Sequence, residues 1–377
     1  MRYVLSPYFN LRKLGYLQKK MPRASEIAQF DKRDTFILVK DGKKDYLINQ
    51  AIYRFLKFLR SPQSLTDLQA QFPKEAQLAD FLQRMLEKGV IVQEEKFHQL
   101  LLPTIKNQRF NVGESIGKYL ITHLLLKKKK VEIYLAKHKQ KVIIKALILP
   151  ENSIAEKQQL LKTKFSKEFE LMKSLPKHAN LSQLIQFNKK EAYAVLKFVK
   201  GKTLQKFIKK RSHSAPTKAH LIQQIVTTLA FLHKHQIVHG DLHHRNIMVA
   251  KSLKVTIIDF GLSHLQNDSS VDKLRKGGLD VYLPPERISQ SSFHSLKAPA
   301  NYASDIYQLG ILMYLIIFEK FPFVGFTWDD LYEAIQKGEV DYTLKENDLL
   351  SFLPLIKKCL QKNPLDRFKD ANAIIIN

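Results

Sequence analysis

The segment IVHGDLHHRNIMVAKSLKVTIIDFGLS, residues 237–263, holds the residues whose types and spacing best suit chemistry. Two short apolar runs, IMVA and VTIID, flank a turn. Asp241 and Asn246 lie just before the first run, and Asp259 lies at the end of the second. A hairpin of these strands places all three side chains at one end. Carboxylate and amide oxygens are ligands suited to Mg²⁺, and a further carboxylate can orient an attacking hydroxyl, as phosphoryl transfer requires.

The elements that must position these residues begin with apolar strands at Tyr119. The runs YLITHLLL, VEIYLA and KVIIKAL predict three strands joined by tight turns, and Lys145 lies in the third. A helical pattern follows over residues 154–175, and the chain beyond it is mainly helical. We therefore predict an α+β fold for 116–377, with a strand-rich small lobe (116–197) and a helix-rich large lobe (198–377).

Seven motifs in this region resemble those of protein kinases, in the same order. HGDLHHRN resembles the catalytic loop, DFG the metal-binding turn, and VIIK the third-strand lysine motif. FSKEFELMKSLPKHANL resembles the C-helix, and PPE the end of the activation segment. SDIYQLG resembles the buried helix that braces the catalytic loop, and NPLDR supplies the arginine that pairs with the PPE glutamate. The likeness is to the eukaryotic-like Ser/Thr kinases of bacteria.

This resemblance implies a role for each matching residue. Asp241 would be the base or the carboxylate that orients the hydroxyl, and Asn246 and Asp259 would hold Mg²⁺. Lys145 would contact the α- and β-phosphates of ATP and would be fixed by Glu168.

The resemblance also implies supporting residues around the nucleotide and the loops. Glu170 is the alternative partner of the lysine if the helix register differs. The residues expected near the nucleotide are Ile133 and, in the hinge, Leu196, Lys197 and Phe198. The residues expected to be structural are Asp305, which would cap loop amides, and the ion pair of Glu286 with Arg367.

The nucleotide-binding loop departs from the family pattern because it has no glycine. Leu126, Lys128 and Val131 occupy the glycine positions. The lysine cluster 127–130 would either replace amide dipoles with mobile charges or form a solvated hairpin tip. Ile143 occupies the position of a small alanine against adenine, which narrows the pocket.

The catalytic loop departs from the pattern as well. Gly240 replaces an arginine that would pair with a phosphorylated activation loop, so we expect activity without that phosphorylation. His243, which we include among the catalytic candidates, replaces a lysine near the γ-phosphate, and Leu279 replaces a threonine. HGDLHxxN is also typical of small-molecule kinases of the aminoglycoside-phosphotransferase type, although these lack the PPE and SDIYQLG motifs.

The N-terminal residues 1–95 predict a separate small domain. Two alternating runs around Asp41-Gly42 predict a hairpin, followed by three short helices and a closing strand at 90–93. This winged-helix-like order resembles the PqqD-like domains, which bind an extended peptide by strand addition. A structural or regulatory appendage and a nucleic-acid-binding winged helix are the alternatives. Residues 96–115 predict a linker.

Composition and charge limit the remaining classes of function. The net charge of +27 would attract an anionic partner such as nucleic acid, but the lysines are spread along the chain, which favours solvated surfaces. The single cysteine, Cys359, excludes an internal disulfide. No signal peptide is apparent, and the apolar run 309–318 is too short to span a membrane. We expect a soluble, cytoplasmic protein.

Three functional hypotheses follow from these patterns. The first is a Ser/Thr protein or peptide kinase whose N-terminal domain recruits the substrate. The second is a kinase that acts on a small hydroxylated metabolite. The third is a pseudokinase scaffold with a protein- or nucleic-acid-binding winged helix, which the absent glycines favour and the intact Asp241, Asn246, Asp259 and Lys145 oppose.

Overall fold

The chain divides into two compact units, and the main division lies between Phe110 and Asn111. The computed structural model describes residues 2–5, 9–13, 36–40, 45–48, 50–72, 78–95, 108–128, 130–149, 155–209, 213–268, 279–288, 298–325, 328–344 and 347–376. Most of the predicted linker, 96–107, lies outside the described residues, so its assignment stays a prediction.

The described part of the first unit contains two antiparallel sheets and three helices. Its strands are β1 (Arg2–Leu5), β2 (Phe9–Lys13), β3 (Phe36–Lys40), β4 (Asp45–Ile48), β5 (Gln63–Ser64) and β6 (Ile91–Gln93), and its helices are α1 (Gln50–Phe58), α2 (Leu65–Gln71) and α3 (Leu78–Glu87). The strand orders are β5-β1-β6 and β2-β3-β4. Phe55, Leu56, Leu59 and Leu68 are buried at the centre of its core.

Local sequence signals explain several of these elements. The predicted hairpin strands pair antiparallel with Phe36 opposite Ile48, although the turn Asp41-Gly42 lies outside the described residues. Ser64 begins α2 through a capping box with Asp67. The closing strand is also confirmed, whereas β1 and β2 were not predicted. The winged-helix assignment itself stays a prediction.

The second unit begins with a six-stranded antiparallel sheet of order β11-β12-β10-β9-β8-β7. Its strands are β7 (Ser115–Ile116), β8 (Tyr119–Lys127), β9 (Val131–Lys137), β10 (Lys141–Leu147), β11 (Leu184–Asn188) and β12 (Tyr193–Lys197). Burial alternates along β9, so every second side chain lies on the same face of the sheet. The predicted helix α4 (Ala155–Ser174) contributes Phe165 and Phe169 to a cluster with Leu147 and Ala194.

The rest of the second unit is mainly helical, as predicted. Its helices are α5 (Leu204–Ile208), α6 (Ala215–Lys234), α7 (Tyr302–Phe318), α8 (Trp328–Lys337) and α9 (Leu353–Cys359), and its short strands are β13 (Lys202–Thr203), β14 (Ile237–Val238), β15 (Ile247–Val249), β16 (Val255–Ile257) and β17 (His264–Leu265). Helix α7 is buried from Ser304 to Ile317 because it is apolar on nearly all sides. Asn301 caps its start through a bond from the Ser304 amide. Among the described residues, no helix has both the length and the apolar character needed to cross a membrane.

Candidate active site

Lys145 lies at the centre of a three-residue charge cluster. Strand pairing places it on β10, opposite Ile133 on β9 and Ala194 on β12. Its Nζ lies 2.6 and 2.9 Å from the two carboxylate oxygens of Glu168 on α4, and 2.7 Å from Oδ1 of Asp259. The structure thus brings together residues from the sheet, the helix and the DFG turn.

The helix register selects Glu168 and not Glu170 as the partner of this lysine. Residues two apart on a helix point to nearly opposite sides, so only one of the two glutamates can face the sheet. Glu170 instead accepts a 2.8 Å bond from Lys189, and both side chains are exposed.

The cluster holds its members in their charged forms. Burial alone would lower the pKa of Lys145, but the carboxylates of Glu168 and Asp259 raise it above its ordinary value. Burial would raise the pKa of Asp259, yet the ammonium of Lys145 holds it well below its usual range. Asp259 also has a positive φ of 72°, which is costly for a non-glycine residue and fixes its carboxylate toward the lysine.

Asp241 and Asn246 contact each other within one loop. The Asn246 side-chain amide donates to the Asp241 carbonyl at 3.0 Å and to Asp241 Oδ2 at 3.3 Å. The Asn246 carbonyl accepts the Ile258 amide at 2.8 Å, which ties this loop to the strand that leads to Asp259. The predicted meeting of the two loops at one end of the β15–β16 hairpin is therefore present.

The donor set of this pair of loops fits a hard divalent cation. Because Asn246 Nδ2 is engaged with Asp241, its Oδ1 is the atom that can ligate a cation, and Asp259 can offer Oδ2. Within the described residues, no group of three or more His, Cys, Asp or Glu could hold a metal ion. Two protein oxygens suit Mg²⁺, which commonly completes its coordination with water and phosphate oxygens.

His243 is neutral and has a defined tautomer. Its Nδ1 accepts the backbone amides of Arg245 and Asn246, each at 3.2 Å, so the ring proton lies on Nε2. Nε2 lies 3.5 Å from Asp241 Oδ1. Burial lowers the pKa of His243 to about 4. The residue therefore brings a hydrogen-bond donor to Asp241 but no positive charge at neutral pH.

Burial and nearby charges change the pKa of Asp241. Burial, followed by repulsion from the Asp259 carboxylate, raises the pKa of Asp241 to about 8, while the charge of Lys128 opposes the shift. A divalent cation at Asn246 and Asp259 would neutralise that repulsion and lower this pKa, so metal binding and ionisation of Asp241 favour each other.

Asp305 fixes the start of the catalytic loop. It is fully buried at the start of α7, where Oδ2 accepts the His239 amide at 2.7 Å and Oδ1 accepts the Gly240 amide at 2.8 Å. His233 Nε2 lies 3.2 Å from Oδ2. Burial would raise the pKa of Asp305, but its hydrogen bonds with His233 and the Gly240 amide hold it below its usual value.

Gln308 was missed by sequence reasoning. Its Oε1 accepts the Leu242 amide at 2.8 Å, so it holds the residue next to Asp241. It lies three residues after Asp305 on the same helix face. That spacing within SDIYQLG is the signal that could have identified it.

Glu286 and Arg367 form the predicted ion pair. Arg367 Nη1 and Nη2 lie 3.0 and 2.8 Å from the two oxygens of Glu286, a bidentate arrangement. Arg367 also donates to the carbonyl of Ala303 just inside α7. The pair therefore ties the segment that ends at Glu286 to the helical lobe.

The residues predicted to lie near the nucleotide are found on both faces of the sheet. Ile143 shares the face of Lys145 and pairs with Leu196 on β12, and Ile133 also lies on this face. Lys197 pairs with Val142, which places its exposed side chain on the opposite face, so only its backbone could face a nucleotide. Phe198 follows directly and is half-buried, with Lys141 Nζ 5.9 Å from its ring centroid.

The strands β8 and β9, which flank the glycine-free loop, stay paired up to Lys127 and Glu132. The Lys128 amide donates to the Val131 carbonyl at 2.8 Å, which continues the register of Lys127 opposite Glu132. Lys127 Nζ lies 3.2 Å from Oε1 of Glu132, and Glu132 is fully buried. Tyr134 donates a second bond to Glu132. The contacts of Glu132 with Lys127 and Tyr134 therefore hold the two strands beside the loop, which contains no glycine.

Gly240 and Leu279 both lie in tightly packed surroundings. Gly240 has φ of 74°, and a Cβ there would lie 2.9 Å from the Leu262 carbonyl oxygen. The arginine that the family pattern has at this position therefore does not fit the backbone of this chain. Leu279 is buried next to a 3₁₀ turn over Asp280–Tyr282.

Comparison with known families gives one broad match. The sequence model for protein tyrosine and serine/threonine kinases matches residues 117–374. This range covers the second unit almost completely and includes every residue of the site described above.

Individual relatives match over shorter regions. A probable serine/threonine-protein kinase of Clostridium acetobutylicum is 31% identical over 190 residues, which are 48% of this chain and 27% of that protein. An Aurora kinase of Debaryomyces hansenii is 30% identical over 264 residues, or 68% of this chain and 59% of that protein. Serine/threonine-protein kinase 33 of Bos taurus is 28% identical over 189 residues, or 47% of this chain and 37% of that protein. The chain thus spans less than two thirds of the length of each.

Proposed function

The chain belongs to the protein tyrosine and serine/threonine kinase family, and on that premise we propose that it transfers the γ-phosphate of ATP to a serine or threonine hydroxyl of a protein or peptide. The observation that carries the proposal is the convergence of Lys145, Glu168 and Asp259 beside the Asp241–Asn246 loop. Phosphoryl transfer depends mainly on positioning and charge neutralisation, and this arrangement supplies both.

Each side chain has a defined task in this proposal. Asp241 accepts a hydrogen bond from the substrate hydroxyl and orients it, and the Nε2 proton of His243 faces the same carboxylate. Lys145 binds the α- and β-phosphates, for which it exchanges its bond to Asp259 while Glu168 keeps it in place. Asn246 and Asp259 hold Mg²⁺, which when bound neutralises phosphate charge.

A protein or peptide substrate is favoured over a small metabolite. The relatives are described as protein kinases, and none of the three cited above is described as a small-molecule kinase. The Glu286–Arg367 pair and the Asp305 brace belong to motifs that the small-molecule group lacks. The intact charge cluster of Lys145 opposes the scaffold hypothesis.

We also propose that the first unit recruits the substrate. Its β2-β3-β4 sheet has two edge strands, and an edge strand can take up an extended peptide through main-chain hydrogen bonds. The likeness of 21–95 to PqqD-like domains points to the same mode. Hydrogen exchange on the full chain tests this: a substrate peptide should slow amide exchange in one of the two edge strands, β2 (Phe9–Lys13) or β4 (Asp45–Ile48), whereas unchanged exchange in both strands would contradict recruitment.

The main test is transfer of labelled γ-phosphate from ATP in a cell lysate, with wild type compared with Asp241→Asn. Asp366→Asn is the matched control, because Asp366 is exposed and undergoes the same chemical change. We expect label on serine or threonine of a protein or peptide band with wild type and the control, and its loss in Asp241→Asn. Label confined to small molecules, or equal label in all three proteins, would refute the proposal.

A further inference from the structure

His243 occupies the catalytic-loop position at which the family resemblance implies a lysine near the γ-phosphate. His243 lies 3.5 Å from Asp241, but its Nδ1 accepts two backbone amides and the ring is buried. Because Nδ1 accepts these amides, it carries no proton, and the ring is neutral. Transfer of a terminal phosphate concentrates negative charge near Asp241, so a cation from another element would stabilise the reaction there.

The register of the β8–β9 hairpin determines where Lys128 points. Lys127 lies opposite Glu132, and the bond from the Lys128 amide to the Val131 carbonyl places Lys128 opposite Val131. Side chains opposite each other in a ladder share a face, and alternate residues along β9 share it too. Lys128 therefore lies on the face of Ile133, which is the face of Lys145. Lys127 lies on the other face.

The hairpin tip is held in this register by a buried anchor. Glu132 is fully buried, accepts a bond from the Tyr134 hydroxyl, and pairs with Lys127 at 3.2 Å. Breaking a buried ion pair is costly because it leaves a charge without compensation. The anchor on one face thus fixes the strand so that the next residue, Lys128, lies on the opposite face, which is the face of Lys145.

The position of Asp259 agrees with this direction. Its Oδ1 lies 2.7 Å from Lys145 Nζ, and Lys145 shares with Ile133 the face of the sheet on which Lys128 lies. The exposed Lys128 side chain has enough freedom to contact a ligand lodged between the hairpin and these loops.

We propose that Lys128 binds the terminal phosphate of ATP and supplies the positive charge that His243 does not provide. This inference rests on the proposed kinase activity. It assigns a binding function to a residue in a loop where glycine amides would otherwise contact the phosphates. A contact with the terminal phosphate strengthens binding of ATP more than binding of ADP, which lacks that phosphate.

The test compares Lys128→Ala, Lys128→Arg and the control Lys130→Ala in the full chain. Lys130 is exposed in the same turn and loses the same charge on substitution. A charge-assisted phosphate contact is worth about 1.5–3 kcal/mol, or about a 10- to 100-fold effect. We expect Lys128→Ala to lower kcat/KM for MgATP by about that factor, with inhibition by ADP changed by less than about threefold. Lys128→Arg should recover most of the loss, and Lys130→Ala should stay within about twofold of wild type.

The outcomes separate this inference from the kinase proposal. If wild type transfers phosphate and Lys128→Ala behaves like Lys130→Ala, the inference is wrong and the kinase proposal stands. An equal loss of ATP and ADP binding in Lys128→Ala would also overturn it, because that indicates a general effect on the loop. If wild type transfers no more label than Asp241→Asn, the kinase proposal itself fails.

Discussion

Replacement of Asp305 by asparagine tests how the buried helix α7 holds the catalytic loop. The aspartate carboxylate accepts the amides of His239 and Gly240 at 2.7 and 2.8 Å and lies 3.2 Å from His233 Nε2. Asparagine keeps one acceptor oxygen, but its other side-chain group is an NH₂, which cannot accept a hydrogen bond from a backbone amide. One buried backbone N–H therefore loses its acceptor, and the remaining bond loses its charge.

The expected cost follows from these contacts. A hydrogen bond to a charged group contributes about 1.5–3 kcal/mol, and an unsatisfied buried donor costs about 1–3 kcal/mol. We therefore expect Asp305→Asn to lower the free energy of unfolding by about 3 kcal/mol. For a unit of this size, each kcal/mol corresponds to about 2–4 °C, so Tm of the second unit should fall by about 6–12 °C.

Thermal unfolding and urea titration of the full chain measure this change. Asp366→Asn is the control, because that side chain is exposed and its unfolding should shift by less than about 1 °C. The rate of phosphate transfer should fall as well, because Asp241 directly follows the two braced amides. A Tm shift below about 1 °C in Asp305→Asn would show that the loop does not depend on these bonds.

The pH dependence of the same variant gives a second measurement. Burial opposes ionisation of Asp305, but His233 and the loop amides hold its pKa below the ordinary value of 3.8. The unfolded chain thus binds the proton more readily, so the stabilisation is complete above about pH 4 and is lost as pH falls through the folded-state pKa. Asp305→Asn lacks this contribution, and its stability difference from wild type should shrink as pH falls below about 4. A constant difference would contradict the assignment.

Three further predictions concern the charge cluster, the loop backbone and the metal. Glu168→Gln should lower kcat/KM for ATP by about tenfold because Lys145 loses its charged partner, while Glu170→Gln should stay within about twofold, as steady-state kinetics can determine. Gly240→Ala should lower the free energy of unfolding by about 1–3 kcal/mol in urea titration, because φ of 74° and the Leu262 carbonyl at 2.9 Å disfavour a Cβ. A chelator should abolish phosphate transfer, and excess Mg²⁺ should restore it. Variants equal to wild type, or transfer that persists in chelator, would contradict these predictions.

Much of the second unit could be predicted from sequence because its signals are local. Alternation of apolar residues located β8, β9 and β10, and a long apolar run located α7. The convergence of Lys145, Glu168 and Asp259 is not local, since 114 positions separate the first and last. It was predicted only through the ordered motifs, which carry the three-dimensional arrangement of the family.

The remaining features of the fold and the site depend on contacts that form only in the folded chain. Strands β1 and β2 were missed because both are short and lack a nearby turn signal, and their partners lie far along the chain. The role of Gln308 was missed because its spacing from Asp305 gives the helix face on which it lies but does not show that it accepts the Leu242 amide. The tautomer of His243 likewise follows from two backbone amides that only the folded loop brings to Nδ1.

The two departures from the family pattern are better understood together than separately. From the sequence, the absent glycines favour a scaffold, and the histidine at position 243 replaces a lysine near the γ-phosphate. In the folded chain, the register of the hairpin that lacks glycines puts Lys128 on the face of Lys145, while the neutral His243 ring lies 3.5 Å from Asp241. In the proposed role, Lys128 supplies from the hairpin the positive charge that the catalytic loop does not supply at position 243. Lys128→Ala and His243→Lys combined should therefore recover activity that Lys128→Ala alone loses, because the combined variant returns a cation to the catalytic loop.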